Sequence, residues 1–173
     1  MLKKLFFIAM ISITGIANAQ MNKEKGVMVG GSMMVPSKNI VENAVSSKDH
    51  TTLVAAIKAA GLVETLSSKG PFTVFAPTND AFNKLPEGTV DGLLKAEAKD
   101  KLTSVLTYHV VSGRYTSKDL KDGMVLTTVQ GEELKISYKG KVWMVNNAKI
   151  TIADVINSNG VTYVIDTVLM PKM

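Results

Sequence analysis

An α+β domain is the fold this sequence predicts, and two changes of pattern predict it. Between Ser37 and Thr107 apolar residues recur at three- and four-residue spacing, the mark of helices that bury one face. From Tyr108 onward the spacing changes towards alternation, with turns at Gln130-Gly131, Lys139-Gly140, Asn146-Asn147 and Asn157 to Gly160. Helices therefore lead and a meander of strands follows. The 173 residues contain no internal repeat and make one domain, large enough to bury a core without staples.

Residues 1–19 read as a secretory signal peptide. Lys3 and Lys4 form its charged start, Leu5 to Ile16 its apolar middle, and Ala17-Asn18-Ala19 a small-x-small cleavage site. The apolar run is shorter than the about 20 residues a membrane span requires. Residues 20–36, rich in Gly and Met and without a sustained period, read as a flexible lead-in; the alternative is an edge strand through Val27, Val29 and Val35. Met28, Met33 and Met34 are irregularly spaced with no His or Cys beside them. They read as packing residues or as part of a disordered stretch rather than thioether ligands for a soft metal.

The domain is expected over residues 37–171. Ser37 is placed to cap a helix through Val45 whose inner stripe is Ile40, Val41, Ala44 and Val45. Asp49 to Thr52 cap the next helix, which carries Leu53, Ala56, Ile57 and Ala60 inward and ends at Gly61. His50 falls in that capping turn and reads as structural.

The stretch Thr73 to Phe82 encodes a strand, a corner and a helix start. Phe72, Val74 and Ala76 alternate with Thr73 and Phe75; Pro77 ends the run because it has no N–H to give. Thr78 or Asn79 is the N-cap, and Asp80 lies in the first turn, where a carboxylate meets the positive helix end. Ala81, Phe82 and Leu85 form the apolar side before Pro86 and Gly88 stop the helix. A short helix starts at Thr89. In the next, from about Glu97 to Thr107, Ala98, Leu102, Val105, Leu106 and His109 share one side. A buried imidazole needs partners, and His109 is expected to find them near Thr78 to Asp80.

Five strands are expected after Tyr108: Met124–Val129, Glu133–Tyr138, Lys141–Val145, Lys149–Val155 and Val161–Met170. Leu134, Ile136 and Tyr138 alternate with polar residues, so that strand has one covered and one wet face. The last strand is apolar on both sides and reads as central. Its Asp166 requires a backbone N–H or a hydroxyl as partner.

TVFAPTNDAF (Thr73 to Phe82) closely resembles the first signature of the fasciclin domain family. Tyr108-His109 and NGVTYVIDTVLMP (Asn159 to Pro171) follow in that family's order. The resemblance implies a compact β-sandwich or wedge with several helices packed around one end. It also implies an interaction role without catalysis or cofactor, in cell adhesion or in binding a protein or glycan on a cell surface or matrix. The positions carried over as structural or interaction candidates are Thr73, Phe75, Ala76, Pro77, Thr78, Asp80, Phe82, Tyr108, His109, Tyr163, Val164, Ile165 and Asp166. One departure stands out: family members commonly have Ile-His where this chain has Thr162-Tyr163. Some relatives bind carotenoids, so a carrier of an apolar small molecule such as a carotenoid or lipid is the alternative reading.

Composition removes other classes. The chain has no cysteine, hence no disulfide scaffold, thiolate metal site or cysteine nucleophile. Its formal charge of +5 becomes +3 once Lys3 and Lys4 leave with the signal. The remaining lysines are spread among acids, unlike the clustered basic stripe of a nucleic-acid binder. No G-x-S-x-G elbow is present, and Asn157 to Gly160 lacks the first ligand and the helical flanks of a calcium loop. The expected location is periplasmic or extracellular, with no membrane span.

Overall fold

The computed structural model describes residues 25–172; the expected signal peptide at 1–19 lies outside them. The described part opens with a hairpin, β1 (Val27–Val29) and β2 (Ser32–Met34). The helical half follows as α1 (Ile40–Ser46), α2 (Thr51–Ala60) and α3 (Val63–Ser67), then strand β3 (Phe72–Pro77), then α4 (Asn79–Asn83), α5 (Thr89–Leu93) and α6 (Lys99–Tyr108). Strands β4 (Val110–Ser112), β5 (Val125–Thr127), β6 (Glu133–Lys139), β7 (Val142–Val145), β8 (Ala148–Asn157) and β9 (Gly160–Ile165) complete it.

The main sheet has the order β4-β3-β9-β8-β7-β6-β5. Only β3 and β9 are parallel; every other neighbouring pair in the sheet is antiparallel. Its first and last strands meet through a bridge between Val111 and Thr128 and a 2.8 Å bond from the Val129 N–H to the Val110 carbonyl. The sheet is thus nearly closed. Inside the curl lies one core, built on Phe75, Leu134, Ile136, Val161, Tyr163 and Ile165. A second core joins the helices to the other face of β3, through Val74 and Ala76 against Leu53, Ile57, Leu102 and Leu106. The alternation of β3 therefore divides two apolar bodies rather than core from water, the expected state of a central strand.

Local signals account for most boundaries. Gly61 closes α2 in the left-handed region (φ 72°), where its N–H reaches the carbonyls of Ile57 and Lys58. Asn39, not Ser37, caps α1: its side chain accepts from Glu42 N at 2.9 Å, and the Glu42 carboxylate accepts from Asn39 N at 2.8 Å. With that start Val45 turns outward and is 54% exposed, while Asn43 faces Val35 and is buried. The expected lead-in is ordered over its second part, since Val29 and Met34 of the hairpin pack on Val155 and Val164. Strand β9 stops at Ile165 because the Asp166 carboxylate, instead of a backbone carbonyl, takes the Lys149 N–H at 2.9 Å.

Strand β8 carries a register shift between Ile152 and Val155, with Asp154 at φ 55°. The Asp154 carboxylate holds this bulge by accepting from the Ser117 N–H at 2.7 Å and from the Ser117 hydroxyl.

Candidate functional site

Strands β3 and β9 set Phe75 opposite Tyr163, Ala76 opposite Val164 and Pro77 opposite Ile165. The corner and the terminal strand, far apart in sequence, are thus one structural unit. Phe75 and Tyr163 stack with ring centroids 5.4 Å apart. The Tyr163 hydroxyl donates to the Tyr115 carbonyl at 2.8 Å, and Thr73 ties the same loop by donating to Gly113 O and accepting from Tyr115 N. Burial, then the Asp154 and Asp119 charges, push the Tyr163 phenol well above its ordinary pKa. Tyr163→Phe is expected to cost about 1 kcal/mol, because it strands the Tyr115 carbonyl while keeping the ring stack. A urea-unfolding midpoint equal to wild type would contradict that.

At the corner, Thr78 is the N-cap of α4 and accepts from Ala81 N. Asn79 works elsewhere. Its carbonyl oxygen accepts from the Thr52 N–H and the Thr51 hydroxyl, and its amide donates to Lys48 O, so it caps α2 from outside that helix. Asp80 is exposed in the first turn of α4, and with Asp49, Thr78 and Asn79 it borders a shallow cleft of about 170 Å³. At the far end of α4, Lys84 donates to the Asp166 carbonyl at 2.7 Å and pairs with its carboxylate at 3.6 Å. Partial burial pushes the Asp166 carboxyl up. The Lys149 N–H, the Thr167 hydroxyl and the Lys84 and Lys149 charges outweigh this and hold it below its ordinary value.

Tyr108 and His109 end α6 pointing to different places. The Tyr108 hydroxyl accepts from Asn146 Nδ2 at 3.0 Å, on the sheet side. His109 does not reach the corner, contrary to expectation. Its ring turns back along α6, where Nδ1 meets Val105 O at 2.7 Å, and Nε2 accepts the Leu169 N–H at 2.9 Å from the segment beyond β9. A carbonyl on one side and an N–H on the other fix the neutral tautomer with the proton on Nδ1. Burial lowers its pKa to about 4. With both nitrogens occupied, His109 has no atom left to act as a base.

Of the thirteen motif residues, only Thr78, Asp80 and Asp166 reach solvent; the other ten are buried. His50 sits in the turn that leads into α2, as expected, and is buried there at 1% exposure. Its Nδ1 lies 2.9 Å from the Ser47 hydroxyl, while Nε2 makes no well-formed hydrogen bond. It borders a cavity of about 20 Å³ among Met34, Ile40, Leu53 and Ile57, room for about one water.

Three buried asparagines join the elements in a way the sequence did not announce. Asn43 donates to Asn157 Oδ1 at 2.7 Å, and Asn157 donates to Val155 O and the Thr162 hydroxyl. Asn159 accepts from Ile40 N and donates to Leu66 O and Ser68 O. Short polar residues beside a Gly read as a wet turn, and only the register of β8 and β9 turns them inward. Among the described residues no three His, Cys, Asp or Glu side chains gather as a metal site would need. No helix among them is long and apolar enough to cross a membrane.

Comparison with known proteins fits this architecture. The sequence model of the fasciclin domain matches residues 48–171. The chain is 47% identical to the Synechocystis protein sll1483 over 174 residues, covering 96% of each. It is 40% identical to the immunogenic protein MPB70 of Mycobacterium bovis, over 74% of this chain and 66% of that one. Pig transforming growth factor-beta-induced protein ig-h3 is 39% identical over 80% of this chain, which spans 20% of that longer protein. A solved FAS1 domain pair from the insect cell adhesion molecule fasciclin I superposes with a TM-score of 0.71 at 20% identity, over 79% of this chain and 52% of that one. Three signatures in order, the shared fold and the match over most of the chain agree: this protein belongs to the fasciclin domain family.

Proposed function

We propose that this protein is an exported, non-catalytic interaction module that binds a protein or glycan on a cell surface or in a matrix. One observation carries the reading. The chemically versatile groups of the family motif are spent inside the fold: His109 on Val105 and Leu169, and Tyr163 on Tyr115. What the domain offers a partner is its outside. Relatives lend direction, since one is described as a cell adhesion molecule and another as a cell surface glycolipoprotein. The carrier alternative finds less support, because the enclosed apolar cavity between α1, α2 and β3 holds about 20 Å³, and the roomier cleft of about 490 Å³ at Phe82, Leu85, Pro86 and Val90 is open and shares its rim with Glu87 and Asp91.

Protein purified from its producing organism is expected to be colourless, to carry no co-eluting lipid, and to be retained on intact cells or extracted matrix. Absence of retention would overturn the reading. Bound pigment or lipid would turn it towards a carrier, and esterase turnover abolished by His109→Ala towards an enzyme.

A further inference from the structure

The outer face of β6, β7 and β8 differs from the rest of the surface in charge. From Leu134 to Ala153 the sequence has Lys135, Lys139, Lys141 and Lys149 and no Asp or Glu. All four lysines are exposed. The strand period puts Glu133, Lys135, Ser137 and Lys139 on the solvent side of β6, opposite the buried Leu134 and Ile136, so Glu133 at the head of the strand and Asp166 beside Lys149 are the acids that border this lysine face. Register sets Ser137 beside Met144, and Met144 beside Lys149. Lys135 and Lys139 thus stand about 13 Å apart along one strand, with Lys149 about 10 Å across the sheet. Among the described residues the only ion pair is Lys84 with Asp166, so none of these four ammonium groups is matched by a carboxylate at contact.

The same face holds an open cleft of about 430 Å³ bordered by Asp122, Lys135, Ser137, Lys139 and Asn146. Asp122 is the acid in it, and one of its oxygens is taken by the Tyr138 N–H at 2.9 Å. The Ser137 hydroxyl has no partner among the described residues and faces outward. By contrast, the helical half from Ser37 to His109 balances its charges, with eight lysines against eight acids.

We propose that this face binds an acidic polysaccharide, the lysines meeting its carboxylates or sulfates and Ser137 supplying a hydroxyl contact. The inference rests on the interaction-module reading above and specifies the partner. Lysine suits such a ligand because its compact, hydrated charge sits on a flexible stem and meets exposed anions without fixed fork geometry. Spacing the charges over the outer surface of the sheet fits a long chain with repeated anionic groups better than a single small anion. A bilayer is the poorer occupant. The aromatic pair at the hairpin end, Tyr138 and Trp143, lies on the opposite face of its strands, and Val142 is only 37% exposed. On the lysine face Val142 beside Lys139, Met144 beside Ser137 and Val125 beside Lys135 are single aliphatic residues set among charges, with no aromatic wedge to insert.

The test compares wild-type full-length mature protein with Lys135→Gln/Lys139→Gln/Lys149→Gln and with a control, Lys58→Gln/Lys95→Gln/Lys101→Gln, which removes equal charge from exposed helical positions. Immobilised alginate and dextran sulfate are the probes, neutral dextran the blank, and phosphatidylglycerol vesicles the competing surface. Wild type should bind the acidic polymers and release them as salt shortens the screening length from about 10 Å at 0.1 M. The sheet variant should lose at least about tenfold in affinity, and the control less than about threefold. Equal loss in both variants, no binding by wild type, or vesicle binding with the same lysine dependence would each overturn the proposal. Retention on cells that survives the sheet variant would overturn it while leaving the interaction-module reading in place; loss of cell retention by wild type would sink both.

Discussion

Between pH 7 and pH 4 the protein is expected to lose about 3 kcal/mol of stability through His109 alone. The folded ring is neutral because its Nε2 must accept the Leu169 N–H. A proton there would set two donors face to face in a fully buried site, and burial accordingly lowers the pKa to about 4 from the ordinary 6.5. The unfolded chain, free of that constraint, takes its proton near 6.5. Between these values it binds more protons than the native state, so stability falls as the pH falls. The contribution is fully present above about 6.5 and exhausted below about 4. His50, also lowered by burial, acts in the same direction. Asp166 belongs to a lower window: its depressed carboxyl adds stability above its ordinary value, lost as pH falls through the folded one. Urea midpoints for wild type and His109→Gln, each relative to its own pH 7 value, isolate the His109 share as the slope the variant lacks. An imidazole in the folded protein that titrates near 6.5 by NMR would refute the assignment.

Periodicity carried the reading of the fold because each element has a different apolar rhythm. The 3.6-residue stripe of α2 and the alternation of β6 were legible, as were the breaks at Pro77 and Gly61. Distance in sequence hid the rest. Nothing local says that β3 and β9 are parallel neighbours, although apolar residues on both sides of the last strand did mark it as central. His109 shows the same limit. Its burial followed from its place on the α6 stripe, but its partner, Leu169, lies sixty residues on and contributes only a backbone N–H, which carries no sequence signature. The lysine face was hidden in a similar way. The run from Leu134 to Ala153 is free of acids in the sequence itself, but only the register of β6 to β8 brings Lys135, Lys139 and Lys149 to one solvent face.

Asn159→Ala is expected to be the most damaging single substitution among the polar residues, at about 3–5 kcal/mol, or a melting point lower by about 10–15 °C. Asn159 sits in the two-residue turn between β8 and β9, yet is only 5% exposed. Its Oδ1 takes the Ile40 N–H at 3.0 Å, one of the unpaired donors at the start of α1. Its Nδ2 gives both protons, to Leu66 O at 2.7 Å and Ser68 O at 2.8 Å, closing the end of α3. One side chain thus satisfies two helix ends from the sheet. Alanine would orphan a buried N–H and a buried carbonyl, each costing about 1–3 kcal/mol, while the Ser68 carbonyl can turn to water. Neighbouring packing cannot close over the gap. Gly160 already lies so near strand β3 that an added Cβ would stand 1.9 Å from Phe72 O, which fixes the turn in place. Asn159→Asp separates polarity from shape. It keeps the volume and the acceptor for Ile40, but at pH 7 it turns a carboxylate towards two carbonyl oxygens, so it should melt no higher than the alanine variant. An Asp variant with wild-type stability would show that the donated bonds, and with them the coupling of α1 and α3 to the terminal strand, are not what holds the helices on the sheet.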